Sequence, residues 1–369
     1  MNHYPSNGKE KLNSIILSMA EHHWLFSKNP GHDFTRQHLG KLSFYDTMRL
    51  IISMGKGSTN DEIMDYFDLD PVLIPSQSAF CQRRRQISLS AFEYLFSEFS
   101  SSFPSTTDKF KVHCILACDG CHVVYATNSD IIEDYNKPRL IDYKGYNHMH
   151  LNGFVDVISK AFLDVIIQPG QQPDEREALH SMLDHFTPDD PQKYIITADR
   201  GYESYDLLFH CELKNLGYVF RVKSPSSPKS ILSYYASEFP DDLEEFDVTI
   251  KRFFTDKATN IMKSQSDVYR YINPSKNTPH FYELLRKNHS HLYFLQFRVV
   301  KIKTAENTYE YLITNLPFSF TLDDIQECYH WRWGIEISFR YLKHAAGLLY
   351  FHSKQPEFLK QEIYSCLIL

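Results

Sequence analysis

The chain has 369 residues, 43% of them hydrophobic and 15% aromatic, enough for a sizeable core and for two or three modules. A formal net charge of -7 argues against a protein that coats nucleic acid non-specifically, while leaving room for a local basic groove. No positive-apolar-small leader opens the chain and no run of eighteen apolar residues interrupts it, so a cytoplasmic protein with no membrane partner is expected.

Leu12, Ile15, Ile16 and Met19 recur at helical spacing near the start, and the pattern stays helical from Phe34 to about Phe99. Phe44, Met48, Ile51 and Ile52 mark one helix, and Gly55 to Ser58 breaks it. Thr59 to Glu62 then caps a helix running through Phe67. Pro71 and Pro75 interrupt, and Ser76 opens a segment that ends in Arg83-Arg84-Arg85. A short helix, a turn and a helix with a basic run suit a helix-turn-helix reader of DNA. A solvated helix face is the plainer reading of three arginines alone. Residues 1–105 are therefore read as an N-terminal helical, DNA-binding candidate domain, with a Ser/Thr/Pro-rich linker over 101–107.

From 110 the period changes. Phe110 to Cys118 is a β-rich run ending at Asp119-Gly120, and Tyr146 to Ile158 and Ala161 to Gln168 read as two further strands. Pro173-Asp174-Glu175 starts a helix with Ala178, Met182 and Phe186 on its apolar side. Tyr194 to Ala198 is a buried-type strand ending at Asp199-Arg200-Gly201; a helix from Ser204 to Leu216 and a strand from Tyr218 to Val222 follow. This order predicts an α/β layer with a partly antiparallel sheet. Residues 224–315 open with Pro and Ser, carry acids at 241, 242, 244 and 245, and hold short β-type runs such as Tyr293 to Val300 and Tyr309 to Thr314. They read as a β-rich insertion. Thr321 to Asp324 caps a helix that continues into Tyr329 to Lys343. The chain stops at Leu369 within an apolar helical run, which reads as a cut end.

As a helix, that last stretch places Tyr329, Arg332, Glu336, Arg340 and Lys343 along one edge. Cys328, Trp331, Ile335, Phe339 and Leu342 form an apolar stripe beside it. Asp119 and Asp199 each follow an apolar strand, where residues of an open α/β sheet line a ligand crevice. Two carboxylates brought together there call for a hard cation such as Mg²⁺ or Mn²⁺ between them. Cys114, Cys118 and Cys121 have the CxxxCxxC spacing of a three-thiolate cluster, and His122 could complete a zinc site. Two of these thiols lie inside the strand pattern, however, where small buried hydrophobes are the simpler reading. The seven irregularly spaced cysteines are read as reduced, and the 18 histidines make no HExxH pair. Walker, GxSxG and GxGxxG motifs are missing.

Tyr329-x2-Arg332-x3-Glu336-x6-Lys343 resembles the Y-R-E-K signature of bacterial insertion-sequence transposases of the insertion-sequence-four type, the DDE group related to hairpin-forming cut-and-paste transposases. Cys118-Asp119-Gly120, Thr197 to Tyr202, Leu312 to Pro317, and Gln168-Pro169-Gly170 leading to Asp174-Glu175-Arg176 extend the likeness over roughly residues 35–369. The resemblance implies an α/β, ribonuclease-H-like mixed-sheet core with an N-terminal helical domain and a β-rich insertion before the last catalytic helix. The core would comprise residues 106–223 and 316–369. It implies that Asp119, Asp199 and Glu336 bind two Mg²⁺ or Mn²⁺ ions for cleavage of transposon ends and strand transfer by the freed 3′-hydroxyl. Tyr329, Arg332, Arg340 and Lys343 would hold DNA phosphates, and Arg83, Arg84 and Arg85 would add contacts. The implied partners are double-stranded DNA, as terminal inverted repeats and target, and a second copy in a synaptic homodimer at the bacterial nucleoid. The alternative is a truncated, non-catalytic DNA-binding remnant that represses transposition; a general nuclease on the same fold is a third reading.

Overall fold

Serines start three of the five N-terminal helices. The computed structural model describes residues 4–35, 42–70, 72–102, 110–138, 144–240, 242–257, 259–273 and 278–369. Pro71, Asp241 and most of the expected linker lie outside them. Helices α1 (Tyr4–Glu21), α2 (Phe44–Ser53), α3 (Thr59–Tyr66), α4 (Gln77–Gln86) and α5 (Leu89–Ser101) come first. Ser43 and Asp46 close a capping box on α2, as Ser58 and Asp61 do on α3, and Ser76 caps α4. Each satisfies backbone N–H groups that a helix start leaves unpaired. The cap of α3 is thus Ser58, one residue before the expected start.

Ten strands follow among the described residues: β1 (Cys114–Tyr125), β2 (Tyr135–Asn136), β3 (Tyr146–Asp156), β4 (Ala161–Pro169), β5 (Tyr194–Ala198), β6 (Gly217–Val222), β7 (Phe246–Thr255), β8 (Tyr269–Tyr271), β9 (Leu292–Ala305) and β10 (Thr308–Thr314). They form one sheet in the order β2-β3-β1-β5-β6-β10-β9-β7-β8, with β4 also on β3. β1, β5 and β6 run parallel, whereas β3 and β10 flank them antiparallel. Helices α6 (Glu175–His185) and α7 (Tyr205–Leu213) alternate with the parallel strands, and α8 (Asn260–Ser264) and α9 (Pro279–Lys287) lie between β7 and β9. Helices α10 (Leu322–His330), α11 (Gly334–His344) and α12 (Pro356–Ile368) end the chain. This mixed core, with helices before and after it, is ribonuclease-H-like. Among the described residues no helix is long and apolar enough to cross a membrane.

Three local features differ from the sequence expectations. β1 runs on through Asp119 to Tyr125, because its pairing with β5 stops at Ala117–Thr197 while its pairing with β3 continues to Tyr125–Asn147. The doubly buried apolar run ends with the parallel partner, and the rest of the strand is a hairpin arm. The segment expected to be β-rich also contains α9, which buries Phe281, Leu284 and Leu285. Its β10 pairs directly with β6, so its strands extend the same sheet. Finally, the stretch from Tyr329 to Lys343 is not one α-helix. A 3₁₀ turn at Trp331–Trp333 separates α10 from α11. A Cβ at Gly334 would stand 3.0 Å from Val157 Cβ, so glycine permits this close approach. The turn leaves Trp331 40% exposed, outside the apolar stripe, whereas Cys328, Ile335, Phe339 and Leu342 are buried as expected.

Candidate active site

Parallel pairing brings Asp119 and Asp199 together. Leu116 and Ala117 register with Ile196 and Thr197, so the two aspartates lie two residues further along neighbouring strands. Asp119 accepts the Gly120 N–H at 2.9 Å and Asp199 accepts the Gly201 N–H at 2.7 Å, capping a short 3₁₀ turn. Burial pushes the Asp119 carboxyl up to about 6; Gly120 and Arg332 pull against this, and Asp199 and Glu175 add to it.

Arg332 connects the third acid to the first. Its guanidinium stands 3.5 Å from Asp119 Oδ2 and 3.2 Å from Glu336 Oε1. It is buried, so this charge sits within the site rather than on a solvated face. Beside it is the buried Tyr329, whose ring lies 5.7 Å from the guanidinium and whose hydroxyl interacts with it. Glu336 is half-buried and faces the guanidinium. Arg340 is exposed, and Lys343 is half-buried near Cys121 and His122, where its charge lowers the pKa of each group.

Sequence reasoning gave no role to Glu175. It occupies the first turn of α6, half-buried, with Oε1 3.1 Å from His150 Nε2. A Cβ at Gly120 would meet His150 Nε2 at 2.2 Å and Glu175 Oε1 at 2.8 Å, and one at Gly201 would lie 3.8 Å from Glu175 Oε2. Glu175 therefore sits between the two glycines that neighbour Asp119 and Asp199. Its signals in the sequence were the Pro-Asp-Glu helix start and its place in the Asp174-Glu175-Arg176 stretch of the family likeness. His150 pairs across the hairpin with His122, and His148 packs against His122 with ring centroids 4.5 Å apart. The donor set of Asp119, Asp199 and Glu336, with Glu175 beside them, is hard oxygen. Burial, with a smaller contribution from the neighbouring acids, disfavours the ionised Asp119, and a divalent cation would offset this, so these residues fit Mg²⁺ or Mn²⁺.

The arginine run divides. Arg84 is buried, 2.7 Å from Glu362 on α12, and donates to Gln361 and to the Phe358 carbonyl. Arg83 bonds Gln86 and lies over the Phe34 ring, and Arg85 is exposed. The fold uses Arg84 to tie α4 to α12, a role that the sequence run did not reveal. All seven cysteines are free thiols. Cys114 and Cys118 are buried in β1, and burial pushes the Cys121 thiol up to about 11. They pack as the strand pattern suggested.

Residues 111–369, more than half of the chain, match the family described as transposase DDE domain. The chain belongs to that family. No curated protein matches the chain closely enough to extend this assignment. The cryo-EM structure of a piggyBac transposase synaptic complex with hairpin DNA is similar at 11% identity and a TM-score of 0.45, with 97% of this chain and 69% of that chain covered.

In this transposase DDE domain the tightest group of metal-ligand atoms among the described residues lies outside the acids. It consists of His180, His210 and His280, whose ligand atoms all stand within 4.8 Å of one another. Asp119, Asp199 and Glu336 are not gathered so closely, and Arg332 stands between two of them. Scattered through the sequence without a motif, the three histidines gave no signal as a group.

Proposed function

We propose that the protein is a DNA transposase that cleaves transposon ends and joins the freed 3′-hydroxyl to target DNA. The observation that carries the reading is the convergence of Asp119 and Asp199 on neighbouring strands, linked through Arg332 to Glu336. Asp119, Asp199 and Glu336 would hold two Mg²⁺ or Mn²⁺ ions, which supply stabilisation of the attacking and leaving oxygens in phosphoryl transfer. Arg332 would move from the carboxylates to a DNA phosphate when cations neutralise the acids, since its fork suits either partner. Tyr329, beside Arg332, and Lys343 would hold the same strand, and Arg340 would meet the duplex from solvent. Arg85 is the exposed member of the arginine run and the best placed of the three to add a phosphate contact. Double-stranded terminal repeats, target DNA and a second copy in a synaptic homodimer are the partners of this reading, at the nucleoid of a bacterial cell.

The test is cleavage of DNA carrying the element's own ends with Mg²⁺, comparing wild type with Asp199→Ala. The substitution is expected to lower cutting on the order of a thousandfold, the scale of losing one group that stabilises transition-state charge. Robust cutting by the variant would remove Asp199 from the reaction. Binding to the ends without cleavage under any metal would assign the chain a repressor-like, non-catalytic role. Cutting indifferent to end sequence would make it a general nuclease.

A further inference from the structure

We infer that His180, His210 and His280 form a separate site for a borderline transition ion such as Zn²⁺, with Asp206 orienting His280. It lies on helices rather than on the strands that carry the acids. His180 comes from α6, His210 and Asp206 from α7, and His280 from the second residue of α9. Three neutral imidazoles, with water in a fourth position, suit zinc, cobalt or nickel better than magnesium, which prefers oxygen.

The hydrogen bonds prepare lone pairs for such an ion. His210 Nε2 lies 3.1 Å from Asp184 Oδ1, so a neutral His210 donates there and leaves Nδ1 bare. That Nδ1 faces His180 Nδ1 at 2.9 Å, a separation that either a shared proton or a shared ion can hold. His280 Nδ1 lies 2.7 Å from Asp206 Oδ2, which leaves Nε2 as its free ligand atom. Two of the three rings thus have one nitrogen fixed by a carboxylate, as metal-bound histidines commonly do. Asp206 is 2% exposed and also accepts the backbone N–H of His280 and Phe281, which locks α9 to α7. Its Oδ2 stands 3.8 Å from His180 Nε2.

Tetrahedral zinc, with Zn–N of about 2.0 Å, places ligand atoms roughly 3.3 Å apart. The ligand atoms of the three histidines already lie within 4.8 Å of one another, near that spacing. The rings are stacked, with planes within 18° of one another and centroids 3.7 to 5.1 Å apart. One ion cannot lie in three parallel ring planes, so loading turns at least one imidazole out of the stack. A cleft of about 600 Å³, lined by Glu175, His180, Asp206 and Pro279, gives the ion a route in. Because α9 belongs to the segment between β6 and β10, the ion would staple that segment onto the core helices.

The test uses the full chain, stripped with chelator and titrated with Co²⁺. One equivalent is expected to bind with the intense visible absorption of four-coordinate cobalt, to be displaced by Zn²⁺ and to resist excess Mg²⁺. His180→Gln and His280→Gln should each weaken binding by at least about tenfold, and the exposed Asp184→Asn by roughly ten- to a hundredfold. Asp199→Ala should leave the spectrum unchanged, which separates this site from the proposed catalytic one. Loss of the band in Asp199→Ala with retention in the histidine variants would overturn the inference. So would no stoichiometric binding to a folded wild-type chain, with far-UV circular dichroism confirming the fold of each variant.

Discussion

Two clusters meet at helix α6, and they respond to protons in opposite senses. At its first turn Glu175 stands beside Asp119 and Asp199, where burial and neighbouring acids hold Asp119 at about 6. Further along the same helix, His180 stacks with His210 and His280 against Asp206 and Asp184, and burial holds His180 at about 4 and His210 at about 2. An aspartate raised in the folded state costs stability when ionised. That cost is fully present above about pH 6 and fades as pH falls toward its ordinary value of 3.8. A histidine lowered in the folded state works the other way. The unfolded chain takes its proton near 6.5 while the folded chain refuses it, so stability declines as pH falls from 6.5 toward 4. One helix therefore carries a cluster short of cations and a cluster that excludes protons. Burial is the largest cause of both, because it disfavours the charged form whichever sign that form has.

The contrast can be broken first by acid. At subsaturating Mg²⁺, metal-dependent cutting should fall about tenfold per pH unit below pH 6, because protons and cations compete for Asp119. A flat rate profile down to pH 5 would show that Asp119 is not the group being titrated. A smaller effect is expected from Asp119→Asn in chelator. Removing the strained charge should raise the unfolding free energy by about 1 kcal/mol at pH 8 and by nothing at pH 4. The gain is less than the full shift because the contact with Arg332 is lost with it. Urea titrations at the two pH values measure it. His180→Gln, compared with wild type between pH 6.5 and 4, should show a shallower loss of thermal midpoint, since one proton-refusing ring is gone. Smallest is Arg85→Ala, which lies outside both clusters. It should weaken DNA binding a few-fold and lower the salt slope by about one, while leaving both pH signatures intact.

The chemistry at strand ends was more legible than the chemistry between helices. Asp119 and Asp199 stand out because a strand announces itself by an apolar run and the residue after it is conspicuous. Even so, β1 continued past Asp119, since the hairpin with β3 outlasts the pairing with β5. The helical edge of Arg332 and Glu336 was legible from periodicity, yet the 3₁₀ turn within it, beside the close approach of Gly334 to Val157, was not. Trp331 was misplaced for that reason. Arg84 illustrates the opposite failure: its partner Glu362 is distant in sequence and no local pattern points to it. The histidine stack is the extreme case. Its three rings sit on three helices joined by long connections, so only the packed fold reveals the group.

The antiparallel seam between β6 and β10 has a consequence for assembly. Val222 registers with Tyr311, and Val219 with Thr314, so the chain runs out along the far edge of the sheet and returns beside its own departure point. Everything between is a detour whose ends are fixed side by side. Closing so long a loop costs entropy that grows only slowly with its length. The detour can therefore lengthen, shorten or change partner without shifting where α10 begins, and Glu336 keeps its address. The same closure is a long-range step that local helices cannot hasten.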